Sequence, residues 1–409
     1  MYTGNSAVGV SGIIPPAALH CIDPLKLVGV LDILDSVGFD SVDVWGADDF
    51  GVCLEKYGSD PWDRLRTIRK AVKKTRLRLL LGGQSLLGCG VYADDVVDYF
   101  VERAVDNGID VIRAYDALND PRNLESVAAA AGRFGIEFEG AIVYAESPAH
   151  SVSFFAGYAS LLEQMGANAI CILDPEHLLG ADTAAALFAA VQKSVSIPVR
   201  ASLLSDSGLH AELDAKIDAF DCLITSEIPY KAIKAAGAHV SERKISELSR
   251  LLRKSVDVNA KKEAGKETRA AGPEDEVSAA ITMIPPVSYV ITAQAEANLR
   301  CGERYKTVLP EFKALVRGMY GRAPMPVAED ILSRVVKNAP VLLKRPADML
   351  APELDRLHVS VYRYLEQPED VLTYAIAGDY AVDFFERRLA LKYGIDASHA
   401  DAKHGIHIV

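Results

Sequence analysis

The sequence predicts a closed (β/α)₈ barrel followed by a mainly helical C-terminal domain. Three observations carry that expectation. Eight short β-rich runs alternate with amphipathic helical segments through the first 255 residues. The runs are largely apolar along their length, as strands of a parallel sheet covered on both faces are. Beyond a charged interruption the pattern becomes helical only. An open doubly wound sheet is the alternative, but the Gly-rich dinucleotide fingerprint it carries is missing.

In order, the predicted strands are AVGVSGII (7–14), SVDVW (41–45), LRLLL (77–81), DVIRAY (110–115), FEGAIVY (138–144), AICIL (169–173), PVRASLL (198–204) and DCLIT (221–225). Between the first two, DPLKLVGVLDILDSVG places Leu27, Val30, Leu31 and Leu34 on one helical face. DPWDRLRTIRKAVKK opens with Asp60 as N-cap and Pro61 at the first helical position, and closes in lysines that suit a helix C-terminus. ADDVVDYFVERAVDNG ends at Gly108, a C′ glycine. The barrel is assigned residues 1–255 and a charged linker 256–278. The helical domain takes 279–409. The paired histidines of the tail HADAKHGIHIV read as a frayed terminus rather than a metal site.

Composition excludes several function classes. With 44 basic and 56 acidic side chains the net charge is −12, which disfavours a broad nucleic-acid surface. No apolar run is long enough to span a bilayer, and the N-terminal SAVGVSGIIPPAAL lacks the basic flank of a signal peptide, so the expected location is the cytoplasm with no membrane insertion. Cys21, Cys53, Cys89, Cys171, Cys222 and Cys301 are widely spaced, without a C-x-x-C pair, and are expected as reduced core residues.

In such barrels the reacting groups lie just past the C-terminal ends of the strands. Here those positions hold Gln84 and Ser85 after strand three, Tyr115 and Asp116 after strand four, and Tyr144 after strand five. Strand six is followed by Asp174, Glu176 and His177, and strand seven carries Ser202. No lysine stands there for a Schiff base, and no histidine pair sits at ligand spacing. Asp116, Asp174, Glu176 and His177 are weak acid–base candidates, for which helix capping, loop hydrogen bonding or simple surface exposure is the plainer reading. Gln84 could hold a ligand or a turn.

Several segments carry a family resemblance. GFDSVDVWGADDFGVCLEKYGSDPWDRLRTIRK (38–70) and LLLGGQSLLGCGVYADDVVDYFVERAVDNGIDVIRAYDALNDPRNLE (79–125) are the strongest, and YDALNDPRNLE is the most specific run. SPAH, MGANAICILD and IPVRASLLSDSG follow in order, then GERYK, MYGRAPMPV, RPADMLAPEL and EDVLTYA near the C-terminus. Nearly the whole chain thus resembles the carboxyltransferase subunits of biotin-dependent enzymes: pyruvate carboxylase, the oxaloacetate decarboxylase α subunit and the oxo-acid subunit of transcarboxylase. The resemblance implies a TIM barrel with a helical C-terminal domain and an oligomeric assembly. It implies homo- or hetero-oligomeric partnering with a carboxyltransferase-family or biotin-enzyme subunit.

The departures from the family pattern concern its chemistry. The family opens with Asp-Thr-Thr-Leu-Arg-Asp-Ala-His-Gln, and an ungapped alignment lays the metal-binding Asp on Gly12, the adjacent Arg on Ser11 and the Gln on Pro15. The lysine that is carbamylated to hold the metal falls on Leu173, the His-x-His of strand seven on Ser202 and Leu204, and a substrate-binding Arg on Gly82. The family's proton-shuttling Thr and Pro-Gly-Gly-Met segment are not found between Ser226 and Ile284, and no Ala-Met-Lys-Met biotinylation sequence occurs. Gly, Leu and Ser cannot replace carboxylate, carbamate and imidazole at a divalent metal. The expectation is a catalytically degenerate subunit that needs no cofactor of its own, with any biotin carried by a partner chain. The remnant of the substrate pocket would be Gln84, Ser85, Tyr115, Tyr144 and Ser202. The alternatives are a metal-independent enzyme acting on a small oxo acid or acyl-CoA in the same barrel, and an active metal-dependent decarboxylase or carboxyltransferase drawing its ligands from elsewhere.

Overall fold

In a computed structural model, residues 9–13, 24–46, 50–88, 90–203, 217–223, 240–255, 286–337 and 339–394 are described. Eight parallel strands close into a barrel in sequence order: β1 (Gly9–Ile13), β2 (Ser41–Trp45), β3 (Arg76–Leu81), β4 (Val111–Ala114), β5 (Glu137–Val143), β6 (Ala169–Leu173), β7 (Val199–Ser202) and β8 (Ala219–Leu223). Strand β8 begins two residues earlier than the run DCLIT suggests, because Ala219 and Phe220 pair with Arg200 and Ala201 of β7. Around the barrel lie α1 (Pro24–Asp35), α2 (Pro61–Ala71), α3 (Asp94–Asp106), α4 (Glu125–Phe134), α5 (Val152–Gln164), α6 (Ala181–Ser194) and α7 (Glu242–Ser255).

The local signals act as their chemistry requires. Asp60 caps α2 by accepting from the Trp62 N–H at 2.8 Å, with Pro61 at the first helical position. Gly108, two residues past the end of α3, has φ +99°. The faces of α1 and α2 bury Leu31, Leu34, Trp62, Leu65 and Ile68 in one core with the outward faces of the strands. Trp45, Phe50, Trp62 and Phe100 meet ring against ring at the β2 end of that core, with the Trp45 and Trp62 centroids 4.8 Å apart. Cys53 and Cys171 are buried and outside any disulfide, as expected, whereas Cys301 is half-exposed.

After the barrel come α8 (Val287–Cys301), α9 (Pro310–Val316), α10 (Leu354–Val361), α11 (Asp370–Ala377) and α12 (Asp379–Lys392). They form two apolar clusters. One joins Val287, Val290, Ile291, Phe312, Leu315 and Val335 to the upper ends of β4 and β5. The other gathers Val361, Tyr364, Val371, Phe384 and Phe385 around Leu54 of the β2–α2 connection.

Polar contacts fasten the second group to α2 and α3. Trp62 Nε1 donates to Thr373 Oγ1 at 3.1 Å, Arg66 to Gln367 at 2.6 Å, and Asn107 to Glu369 at 2.7 Å. Asp95 accepts from the N–H groups of Glu353 and Leu354 at 2.9 and 2.8 Å. Arg345 pairs with Asp94. No helix among the described residues is long and apolar enough to cross a membrane.

Candidate functional site at the barrel mouth

The barrel interior is layered. Residues aligned in register on parallel strands point the same way, so the pairings Ile13↔Asp43, Asp43↔Arg78, Arg113↔Glu139 and Cys171↔Arg200 mark the inward faces. At the N-terminal end, Arg76 and Arg200 pair with Glu137 and approach Asp40. Above them Arg78, Arg113 and Arg200 interlock with Asp43, Glu139 and Asp221. Arg78 donates to Asp221 at 2.8 Å and to Asp43, Arg113 to Glu139 and Asp221, and Arg200 to Glu139 at 2.8 Å. Arg78 and Glu139 are fully buried. Burial works against the Glu139 charge, yet Arg113, Arg78 and Arg200 hold its pKa at about 2. Asp221 is likewise held below the usual carboxylate range, by Arg113 and Arg78 against the cost of burial. The hydrophobic pattern predicts these strands as near-continuous apolar core. Instead each of β3, β4, β5, β7 and β8 carries an inward charge, and the pairing of those charges is visible only when the barrel closes.

The next inward layer, at the C-terminal mouth, reverses the polarity. In phase above Arg78, Arg113, Glu139, Cys171 and Arg200 stand Leu80, Tyr115, Val143, Leu173 and Ser202. Leu173 pairs in register with both Val143 and Ser202, so two of the positions matched to family metal ligands do lie side by side. Gly12 pairs with Val42, a residue of the outer core, and therefore faces the helices. Its inward neighbours are Ser11, whose hydroxyl accepts from Ser41 Oγ at 2.9 Å, and Ile13. Leu204 and Pro15 lie outside the described residues.

The divalent metal implied by the family resemblance does not fit these residues. Positions 11, 12, 13, 173 and 202 offer two hydroxyls and no carboxylate, imidazole or lysine. Among the described residues no group of three or more His, Cys, Asp or Glu side chains is gathered closely enough to hold a metal.

The predicted acid–base residues are dispersed and engaged by the fold. Asp116, buried past the end of β4, accepts from the N–H groups of Leu118 and Asp120 at 2.9 and 2.8 Å and from Asn123 Nδ2 at 2.8 Å. Burial pushes its pKa up to about 7 against those donors. Asp174 is buried and accepts from the N–H groups of Leu178 and Leu179 at 3.0 and 2.9 Å, closing the loop before α6. Glu176 and His177 are exposed, and His177 has φ +58° in the same turn.

The remnant-pocket residues divide as well. Gln84 is buried and turned sideways, its amide donating to the Tyr92 carbonyl at 2.8 Å and to Asp94 at 3.0 Å. Ser85 is buried in the same turn. Tyr144 donates to Glu146 at 3.3 Å, and burial with that neighbouring carboxylate pushes its pKa up to about 12. Of the predicted pocket residues, Tyr115 and Ser202 belong to the inward layer at the mouth, beside Leu173. Sequence reasoning does not single out the nearby Ser147–His150 pair, joined Oγ to Nδ1 at 2.7 Å; the run SPAH is its signal. Ser147 Oγ also accepts from the Ala149 N–H at 3.2 Å, so the pair closes a turn ahead of α5.

The most specific run, YDALNDPRNLE, holds the C-terminal region. Asp120 caps the turn at Pro121–Leu124 and accepts from the Arg322 N–H at 2.7 Å, while Asn123 Nδ2 donates to the Tyr320 carbonyl at 2.8 Å. Gly321 lies between them with φ +126°, where a Cβ would stand 2.6 Å from Asn123 Nδ2 and 3.2 Å from Asp120. Only glycine allows that approach.

Fold and site together define a carboxyltransferase-type (β/α)₈ barrel with a helical extension, whose strand ends are apolar. Residues 275–404 match the conserved carboxylase domain. The chain is 31% identical over 419 residues to a pyruvate carboxylase subunit of Methanocaldococcus jannaschii, covering 89% of this chain and 74% of that protein. It is 29% identical over 440 residues to the methylmalonyl-CoA carboxyltransferase 5S subunit of Propionibacterium freudenreichii, covering 92% and 86%. In fold it superposes on the carboxyl transferase domain of Rhizobium etli pyruvate carboxylase solved with pyruvate and biocytin, with a TM-score of 0.83 at 20% identity, over 95% of this chain and 79% of that one. The chain belongs to the family of carboxyltransferase subunits of biotin-dependent carboxylases.

Proposed function

We propose that this chain is a catalytically degenerate carboxyltransferase-like subunit that pairs with an active carboxyltransferase-family or biotin-bearing subunit. The observation that carries this reading is the inward layer at the strand ends. The resemblance lays the family's metal ligands on Gly12, Leu173, Ser202 and Leu204; of these, Leu173 and Ser202 face inward side by side and carry no group that binds a divalent metal. Without a Lewis acid, nothing at these positions polarises an oxo-acid carbonyl or holds the enolate charge that carboxyl transfer develops. The runs that resemble the family's, DPWDRLR with EDVLTYA and YDALNDPRNLE with MYGRAP, still join barrel to C-terminal helices, which fits a chain kept for its surfaces. That relatives of this chain are named as subunits supports a partner. Biotin, where the assembly uses it, is carried by that partner.

The test is capture of the tagged chain from native lysate, probed for biotinylated protein and for carboxyltransferase-family subunits. Co-purification in fixed stoichiometry is expected, with no stoichiometric Zn, Mn or Co in the chain itself. Recovery as a homo-oligomer with no such partner overturns the pairing, and a stoichiometric metal overturns the degeneracy. A thermal-shift screen against oxo acids and acyl-CoAs tests the metal-independent enzyme reading. A real site would stabilise the fold on binding.

A further inference from the structure

The charge of this chain is unevenly spread. The net charge is −12, yet residues 313–345 hold seven basic and two acidic side chains. Elsewhere cations are matched: Arg66, Arg69, Arg103, Arg133, Arg356 and Arg388 each pair with a carboxylate. Within 313–345, Arg345 is paired in the same way, with Asp94 and Asp348. Arg317, Arg322, Arg334, Lys337 and Lys344 have no ion pair among the described residues, and all but Arg317 are exposed. Two apolar side chains stand out beside these cations, Leu343 at 81% exposure and Val341 at 46%. Their backbone is held from both sides. The Leu342 N–H donates to the Arg317 carbonyl at 2.7 Å, and the Leu343 carbonyl accepts from Arg122 at 2.7 Å. Arg122 lies in the turn after β4, where Asp120 accepts from its guanidinium and from the Arg322 N–H. Leu343 is thus held out from a fixed backbone at the C-terminal end of the barrel, with Lys344 next in the chain and Arg322 fastened to the same turn.

We infer that the segment 340–344 and the cations around it are the surface on which this chain docks an acidic protein face of its partner subunit, with Leu343 as the apolar anchor. This rests on the pairing proposed above and adds where the pair forms and what chemistry the partner brings to it. An exposed apolar side chain on a held backbone, rimmed by unmatched charge of one sign, is the composition of a contact surface. Charge selects the occupant. The same face of a second copy would set cation against cation. A phosphate backbone would answer the cations and leave Leu343 in water. A carboxylate-rich protein face with an apolar recess answers both, the recess burying the anchor and the carboxylates supplying the counter-charges that this chain lacks there.

The test uses the full tagged chain as wild type, L343D, the double variant R322E/K344E, and L391D, which adds the same charge at an exposed leucine of α12. All four should share one thermal midpoint, since the altered side chains are exposed. Capture of biotinylated or carboxyltransferase-family subunits from native lysate should fall at least about tenfold for L343D and R322E/K344E and hold for L391D. Capture by wild type should weaken as salt is raised. With p-benzoylphenylalanine in place of Leu343, irradiation should join the chain to an Asp- and Glu-rich segment of the captured subunit. Capture by L343D and R322E/K344E equal to wild type overturns the surface and leaves the pairing standing, as does an equal loss in L391D. An adduct on a second copy of this chain or on nucleic acid, or no adduct, overturns it too. No capture by wild type removes the pairing itself, and this surface with it.

Discussion

At the scale of single residues, Asp116 shows how a strand-end carboxylate can be occupied by structure. Its oxygens are satisfied by Leu118, Asp120 and Asn123, and Asn123 passes the contact on to Tyr320. Burial holds its folded pKa at about 7, above the unfolded carboxylate range. From about pH 4 to 7 the unfolded chain has released this proton and the folded chain retains it. The stability Asp116 contributes is therefore full below about pH 4 and lost as pH rises to 7. D116N removes that slope. Wild type should lose on the order of 3 kcal/mol relative to D116N between pH 4 and 7.5 in denaturant titrations. A pH-independent difference would mean the group is ionised throughout. At Gly321 the φ of +126° and the approach of Asn123 make G321A costly. A loss of about 2 kcal/mol or more is expected, read as a shift in the unfolding midpoint.

At the scale of elements, the strands are bound by charge below and by apolar contact above. Glu139 on β5 reaches Arg113 on β4, Arg200 on β7 and the vicinity of Arg78 on β3. E139Q leaves those guanidinium groups short of a counter-charge inside the barrel and should cost about 3–5 kcal/mol. An effect below about 1 kcal/mol would show that water enters the barrel. The sign of the pH dependence here is opposite to that of Asp116. Glu139 and Asp221 have folded pKa values below their unfolded ones, so the stability they contribute is present above about pH 4.5 and lost as pH falls toward 2. Acid unfolding followed by circular dichroism should lie in that window, and E139Q should flatten it. The order of the strands and the helix caps were legible in the sequence, since Asp60, Pro61 and Gly108 act within a few residues of themselves, whereas the strands at 7–14, 110–115 and 198–204 were expected longer than Gly9–Ile13, Val111–Ala114 and Val199–Ser202. The inward charges were not. A lone Arg in LRLLL or VIRAY carries no mark of which face it takes or which of seven other strands supplies its partner.

For the whole molecule, the C-terminal region is fastened to the barrel at several places. Among them are the Asp120–Arg322 turn, the apolar cluster of α8 and α9 with the ends of β4 and β5, the cluster around Leu54, the Arg345–Asp94 pair, and the seam from Trp62–Thr373 to Asn107–Glu369. With so many cross-contacts the barrel and the helices should unfold together. Calorimetry on the full chain should show one transition, and two resolved transitions would mean that the seam contributes little. The runs that carry the family resemblance meet across these contacts: DPWDRLR with EDVLTYA, and YDALNDPRNLE with MYGRAP.

Taken alone, the sequence determined the eightfold alternation and the helical extension, and through the family it resembles it raised the expectation that Gly12, Leu173 and Ser202 stand at metal-ligand positions. These are matters of periodicity and side-chain type, which the chain carries locally. Only the tertiary structure decided that Gly12 faces outward while Leu173 and Ser202 face in, that charge lies below the mouth and hydrocarbon at it, and that Asp116, Asp174 and Gln84 are engaged by backbone and neighbouring helices. Facing and pairing depend on strand register around a closed barrel, which is set between segments far apart in the chain.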